Sequence, residues 1–170
     1  ARSAAVDSQL ALHYTNLFAE TFAKSKKDAV DAYEIFSAAT AGALPEDATF
    51  PPSTLGQQLQ MIAKTIAGRS ALGMTRQTYF ISFGGWDHHW DLQKGYYNYL
   101  PKIDQLVHAL FTDLADRGLY EKVTVVLCGE FGRTPRMNDG GNGGPAGSQG
   151  TPGRDHWGNA MSVLIGGGGI

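Results

Sequence analysis

The sequence predicts an α/β fold, made of amphipathic helices and short apolar strands. Apolar residues recur at three- and four-residue steps in four segments, the spacing of one helix face. Short runs rich in β-branched, aromatic and other apolar residues cover 77–83, 122–128 and 161–165. The order strand, loop, helix, strand, loop, strand is typical of α/β proteins.

Composition limits the classes of protein to which the chain can belong. Its 170 residues are enough for one domain with a sizeable core. Sixteen acidic and fourteen basic residues give a net charge of −2, which argues against a nucleic-acid partner. No apolar run approaches the roughly 18–20 residues that cross a bilayer. Cys128 is the only cysteine, which excludes an intrachain disulfide.

The first third of the chain is predicted to be helical. Apolar stripes predict helices over 3–24 and 28–42, and prolines mark a connector over 44–52. Ser53 can cap a third helix that ends near Gly68. The predicted regions are a helical segment with its proline-rich connector, 1–52, and an α/β domain, 53–170.

The elements of the α/β region follow in order. The strand over 77–83 is followed by the clearest helix, whose apolar face runs from Ile103 to Leu114. The run 122–128 is almost continuously apolar, as in a parallel strand covered on both faces. A last strand is predicted over 161–165. Because ligands bind at the carboxyl ends of strands in such sheets, the polar loops there are the candidate site.

The first polar cluster follows the strand over 77–83. Asp87 and His89 are two residues apart, so an extended backbone projects them to the same side and His88 to the other. Imidazole and carboxylate together favour zinc or manganese. The alternative interpretation is a polar loop without a ligand.

The second cluster begins at Glu130, directly after an apolar strand. A poorly hydrated carboxylate there needs a cation. Arg133 can supply it in a structural ion pair; alternatively Glu130 binds a metal and Arg133 binds an anionic substrate group. Both interpretations stay open. Thr134 is a candidate nucleophile, although beside Pro135 it is better placed to close a turn.

The third cluster, Asp155 and His156, follows a glycine-rich loop over 138–153. An adjacent acid and imidazole are a weak signal alone. Together with the other clusters they predict that three strand ends supply ligands to one rim of the sheet.

Three strings resemble a known family: Gly85-Trp86-Asp87-x-His89, Glu130-Phe131-Gly132-Arg133-Thr134-Pro135 and Gly153-Arg154-Asp155-His156-Trp157. It is a domain-of-unknown-function family, often exported, related to the alkaline phosphatase and sulfatase superfamily. The resemblance covers about 53–170 and implies an alkaline-phosphatase-like core with a mostly parallel sheet flanked by helices.

The resemblance also implies roles for site residues. Asp87, His89 and His156 would bind one divalent metal, and Glu130 would bind a second. Asp155 would be a ligand or would orient His156. Arg133 would be the catalytic residue that binds the substrate anion. Zinc is the first expectation for the metal, with calcium, magnesium or manganese as alternatives.

The implied function is hydrolysis of phosphate or sulfate esters, with an anionic small molecule or polysaccharide ester as substrate. The periplasm or another exported location is implied as well. The superfamily nucleophile lies upstream of these motifs, so we expect a portion of a longer chain, with its domain incomplete at both ends. One alternative is a non-catalytic metal- or glycan-binding envelope protein. Another alternative is a protein without a metal, in which Glu130–Arg133 and Asp155–Arg154 are structural ion pairs.

Overall fold

The structure is a computed structural model that describes residues 4–46, 48–140 and 150–170. Residues 141–149 of the predicted glycine-rich loop therefore lie outside the described residues. The helices are α1 (Ala4–Leu10), α2 (Leu17–Thr40), α3 (Thr54–Ala67) and α4 (Leu92–Asp116), with short 3-10 turns at Gly68–Ser70 and Tyr120–Lys122. The strands are β1 (Thr124–Cys128), β2 (Gly132–Arg133), β3 (His156–Trp157) and β4 (Val163–Gly167).

Helix α2 begins later than predicted and continues through the predicted break. The Asn16 side chain accepts hydrogen bonds from the backbone N–H groups of Phe18 and Ala19, so the helix begins there rather than continuing from residue 3. The predicted break near residue 25 is absent. No glycine or proline interrupts that stretch, and Lys27 pairs with Asp31 one turn later at 2.7 Å, which favours a continuous helix.

The described residues form two compact units. The first contains Ala1–Pro45 and Lys64–Thr78; the second contains Glu46–Ala63 and Tyr79–Ile170. This division assigns the end of α3 to the first unit. It therefore differs from the predicted regions 1–52 and 53–170, which remain a prediction. In the first unit the side chains of Thr40, Thr65 and Ile66 are buried.

Helix α4 provides the core of the second unit. The helix predicted around Ile103–Leu114 is confirmed, and it begins earlier, at Leu92. It continues through Pro101, which lies within the helix. Its buried leucines recur four residues apart, the spacing of one helix face. The buried apolar side chains of this unit are Ala63, Leu92, Leu106, Leu110, Leu114 and Leu119.

The strands pair in a way that the sequence did not predict. β1 pairs antiparallel with β4, and β2 pairs antiparallel with β3. The described residues are thus a mixture of helices and small sheets, but not the mostly parallel sheet that the resemblance implies. Parallel pairing needs a long crossover, usually a helix, and the segment between β1 and β4 has none in its described part.

Two strand predictions need correction. The run 77–83 belongs to no strand, because it has no paired neighbour in the part of the chain that the structure describes. In the described residues the run 122–128 is covered on one face only, and not on both faces as predicted. Burial alternates along β1, and Val126 is 54% exposed. A Cβ at Gly166, on the neighbouring strand, would overlap the ring of Phe111 in α4, so one face of this sheet lies against the helix.

An ion pair is buried at the end of α4. Arg117 donates to the Asp113 carboxylate, and its other terminal nitrogen donates to the backbone carbonyl of Ala63. Asp113 is 7% exposed. The pair therefore links the end of α4 to helix α3. No described helix is both long enough and apolar enough to cross a membrane.

We expect Asp113→Ala to lower the free energy of unfolding by about 3 kcal/mol, because Arg117 would keep a buried charge without its partner. Urea denaturation measures this change. Asp116→Ala, three residues along the helix and exposed, is the matched control and should change stability by at most about 0.5 kcal/mol. Equal effects of the two substitutions would contradict the structural role of the pair.

Candidate metal centre

Two segments bring the candidate ligands together. The loop before α4 carries Asp87 and His89, and strand β3 carries His156. Backbone contacts join them: the N–H of Arg154 donates to the carbonyl of His88 at 3.2 Å. Strand β2 lies alongside, and its Arg133 is paired with His156 in the antiparallel register.

Three side-chain atoms form a small triangle at this point. Asp87 Oδ1 is 2.9 Å from His156 Nε2 and 3.1 Å from His89 Nε2, and the two Nε2 atoms are 3.1 Å apart. Ligands of tetrahedral zinc, bound at 2.0–2.1 Å, are separated by about 3.3–3.4 Å. A small outward movement of each side chain would therefore give a cation its ordinary bond lengths.

The carboxylate of Asp155 determines which nitrogen of His89 can bind a cation. Its Oδ1 lies 2.8 Å from His89 Nδ1. An ionised carboxylate only accepts hydrogen bonds, so Nδ1 carries the proton and the lone pair of a neutral imidazole is on Nε2. That lone pair faces Asp87 and His156. Carboxylate, histidine and metal are commonly arranged in this way, with the carboxylate orienting the ligand.

Both carboxyl groups are held in the ionised form. The hydrogen bond from Arg133, followed by that from His156, lowers the pKa of Asp87 to about 2. The hydrogen bond with His89 is the main cause of the lowered pKa of Asp155, with a smaller contribution from Asn138. At neutral pH the site therefore carries two negative charges beside its imidazoles, opposed by the one positive charge of Arg133.

The triangle is open on one side. The side chains of Asp87 and His156 are 68% and 50% exposed, whereas His89 is 32% exposed. Catalytic zinc sites use three protein ligands and leave a fourth position for water or substrate. Asp87, His89 and His156 fit this pattern of three ligands and an open position. Among the described residues they form a group whose ligand atoms are close enough together to hold one metal ion.

The structure places some of the predicted ligands together and gives others a different role. Asp87, His89 and His156 come together, and His88 turns to the other side, where its ring packs among Trp86, Tyr96 and Tyr99. Asp155 orients His89, not His156 as the resemblance implied, because its Oδ1 lies 2.8 Å from Nδ1 of His89.

The residues of the second predicted cluster, Glu130 and Arg133, do not pair with each other in the structure. Glu130 is exposed and lies outside the group of three possible ligands. Arg133 pairs with Asp87 at 2.5 Å rather than with Glu130. The hydroxyl of Thr134 accepts from the Asp155 N–H and donates to the carbonyl of Arg136, so it closes the turn.

Asn138 is a structural residue of the site that sequence reasoning missed. Its amide nitrogen donates to the backbone carbonyl of His89 at 2.8 Å and lies 3.4 Å from Asp155 Oδ1. Its amide oxygen accepts from the N–H groups of Gly140 and Gly153, both at 3.0 Å. The local signal was only an asparagine at the start of a glycine-rich loop, which is typical of many turns.

Two glycines allow the segments to approach closely. A Cβ at Gly153 would overlap the backbone of His89 and Trp90. A Cβ at Gly95, in the first turn of α4, would overlap the ring of His88. These two glycines therefore have a defined role, since any side chain at these positions would displace the loop that carries the candidate ligands.

Comparisons with known proteins identify a family. Residues 5–170 match the family described as "Protein of unknown function (DUF1501)". No curated protein and no solved structure gives a match.

We expect Gly153→Ala to weaken zinc binding by at least about tenfold, because the new Cβ displaces the backbone of His89. Competition with a chromophoric chelator measures the affinity. Gly158→Ala is the matched control, since a Cβ there meets no atom within 4 Å. The prediction fails if both variants bind zinc like the wild-type protein.

The lowered pKa of Asp87 predicts a pH dependence for the metal-free protein. The folded-state pKa of about 2 lies below the ordinary 3.8, so the ionised carboxylate contributes stability that is fully present above about pH 3.8. That contribution is lost as the pH falls through about 2. Carboxyl NMR titration should give a midpoint near 2 in the wild-type protein and a higher one in Arg133→Gln. A wild-type midpoint at or above 3.8 would contradict the geometry.

Proposed function

The chain belongs to the DUF1501 family, and from its site we propose that it forms the metal-binding part of a hydrolase of phosphate or sulfate esters. The observation that carries the proposal is the triangle of Asp87 Oδ1, His89 Nε2 and His156 Nε2, with edges of 2.9–3.1 Å. The resemblance of the motifs to the alkaline phosphatase and sulfatase superfamily supports the reaction class.

The donor set favours zinc. Two imidazole nitrogens and one carboxylate oxygen suit zinc, whereas calcium and magnesium prefer oxygen ligands alone. Glu130 is outside the triangle, so we propose one metal at this site rather than two. Manganese also accepts imidazole and carboxylate ligands and is the second candidate.

Each residue of the site has a separate task in this proposal. A cation bound here supplies Lewis acidity toward a phosphoryl or sulfuryl oxygen. Asp87, His89 and His156 hold it, and Asp155 keeps the proton of His89 on Nδ1. The exposed side of the triangle admits an anionic ester. Thr134 is engaged in its turn, and we place the nucleophile outside the described residues, as the resemblance implies.

The resemblance supports two further parts of the proposal. One is a larger, mostly parallel sheet of the alkaline phosphatase type that includes β1. The exposed apolar side chains on both strands of its sheet, such as Val126 and Ile165, are consistent with additional covering structure. The other is an exported location, which rests on the resemblance alone.

A second candidate function is a non-catalytic metal-binding envelope protein. The observation that favours it is that Arg133, the expected anion-binding residue, is only 14% exposed and is hydrogen-bonded to Asp87. Binding of metal without turnover of any ester would support this candidate.

We expect the purified protein to bind one equivalent of zinc, and His89→Ala or His156→Ala to remove it. Elemental analysis after gel filtration measures the stoichiometry. His108→Ala, an exposed histidine on α4, is the matched control and should keep the full equivalent. Equal zinc content in all variants would contradict the metal centre.

The proposed ester hydrolysis is tested on the full-length protein, with p-nitrophenyl phosphate and p-nitrophenyl sulfate as substrates. We expect turnover that disappears on chelation and in the double variant Asp87→Ala, His89→Ala. Turnover that is unchanged in the double variant would refute the proposal. Zinc binding with no turnover of either ester would favour the non-catalytic candidate.

A further inference from the structure

We propose that Arg133 is a positioning residue that holds the ligand-bearing segments of the metal centre in place, and that it does not bind the substrate anion. The inference rests on the proposed metal centre, because its consequence is a change in metal affinity. It assigns to Arg133 a different task from the one that the resemblance implies.

The guanidinium of Arg133 contacts three acceptors. Nη2 lies 2.5 Å from Asp87 Oδ1 and 3.2 Å from the backbone carbonyl oxygen of Trp86. Nη1 donates to the carbonyl oxygen of Arg154 at 3.0 Å. The planar guanidinium has several N–H donors in a fixed arrangement, so one side chain can meet acceptors in different directions.

These acceptors belong to the two segments that carry the ligands. Trp86 and Asp87 precede His89 on the first segment, and Arg154 lies two residues before His156 on the second. The backbone of Arg133 is also paired with His156 in the β2–β3 register. Arg133 therefore touches the first segment with its side chain and the second with both its side chain and its strand.

The burial of the guanidinium opposes a role in binding the substrate. The Arg133 side chain is 14% exposed, while that of Asp87 is 68% exposed. Phe131 covers it further: its ring centre lies 5.8 Å from Arg133 Cζ and 4.2 Å from the centre of the His156 ring. An anion could reach the terminal nitrogens only by displacing acceptors that the site already supplies, and a partly buried carbonyl left without a donor is costly.

The charge of Arg133 and its hydrogen bonds predict opposite effects on metal affinity when the residue is replaced. The positive charge of Arg133 repels a cation, so its removal would tighten metal binding if charge dominated. Its hydrogen bonds keep the ligands near their binding positions, so their loss would weaken metal binding if position dominated. Lysine keeps the charge but lacks the planar fork, and glutamine lacks both, which allows the two effects to be separated.

The test measures zinc affinity in the full chain by competition with a chromophoric chelator. We expect Arg133→Lys and Arg133→Gln both to bind zinc about 10–100-fold more weakly than the wild-type protein, the usual loss when a residue that orients a ligand is changed. Arg136→Gln, an exposed arginine three residues away, should bind like the wild type. Wild-type or tighter affinity in Arg133→Gln would overturn the proposal.

A second measurement does not depend on metal. Hydrogen–deuterium exchange of the metal-free protein should become faster over 86–91 and over 154–157 in both Arg133 variants, but not in Arg136→Gln. Unchanged exchange in both segments would overturn the positioning role even if zinc binding falls. If the wild-type protein binds no zinc but hydrogen–deuterium exchange is still faster in the variants, the metal centre is refuted. The role of Arg133 in holding the two segments together is then supported on its own.

Discussion

One oxygen atom, Oδ1 of Asp87, is the point on which the arrangement of the site depends. Arg133 Nη2 lies 2.5 Å from it, His156 Nε2 lies 2.9 Å away, and His89 Nε2 lies 3.1 Å away. This single ionised oxygen thus accepts hydrogen bonds from Arg133 on β2 and His156 on β3, and it lies beside the unprotonated Nε2 of His89 on its own segment. Because charged hydrogen bonds are stronger than neutral ones, this convergence explains why exposed loops can have a defined geometry around an exposed carboxylate.

The rest of the site is held by contacts that involve backbone atoms. Asn138 donates to the carbonyl of His89 and accepts from the N–H of Gly153, and so joins the two segments that carry the candidate ligands. Thr134 makes two bonds with the backbone of Asp155, one through its N–H and one through its hydroxyl. Small strands such as β2 and β3 gain little from their own pairing, so these side-chain contacts contribute much of the local order.

The two candidate functions, an ester hydrolase and a non-catalytic binding protein, need the same arrangement of side chains around the metal. They differ in which other groups must lie near it. An enzyme requires a nucleophile close to the open side of the triangle, whereas a binding protein requires only the metal and an accessible surface. If Arg133 is committed to the scaffold, the charge that attracts an anionic ester has to come mainly from the cation itself. In that case substrate binding and metal binding would be closely coupled, because the same charge serves both.

The sequence by itself was enough to predict the main helix and two of the three side chains that form the triangle. Asp87 and His89 could be predicted as partners because residues two apart in extended backbone face one side, and α4 because its leucines repeat at helical spacing. His156 could be predicted as the third member of the triangle only through the resemblance and its position in a polar cluster. The tertiary structure alone decided that Asp155 orients His89, that Arg133 pairs with Asp87 rather than Glu130, and that the strands pair antiparallel. The physical reason is separation along the chain. These contacts join residues 46 to 66 positions apart, or strands linked by a long loop, and local periodicity carries no information about which distant segment a side chain will meet.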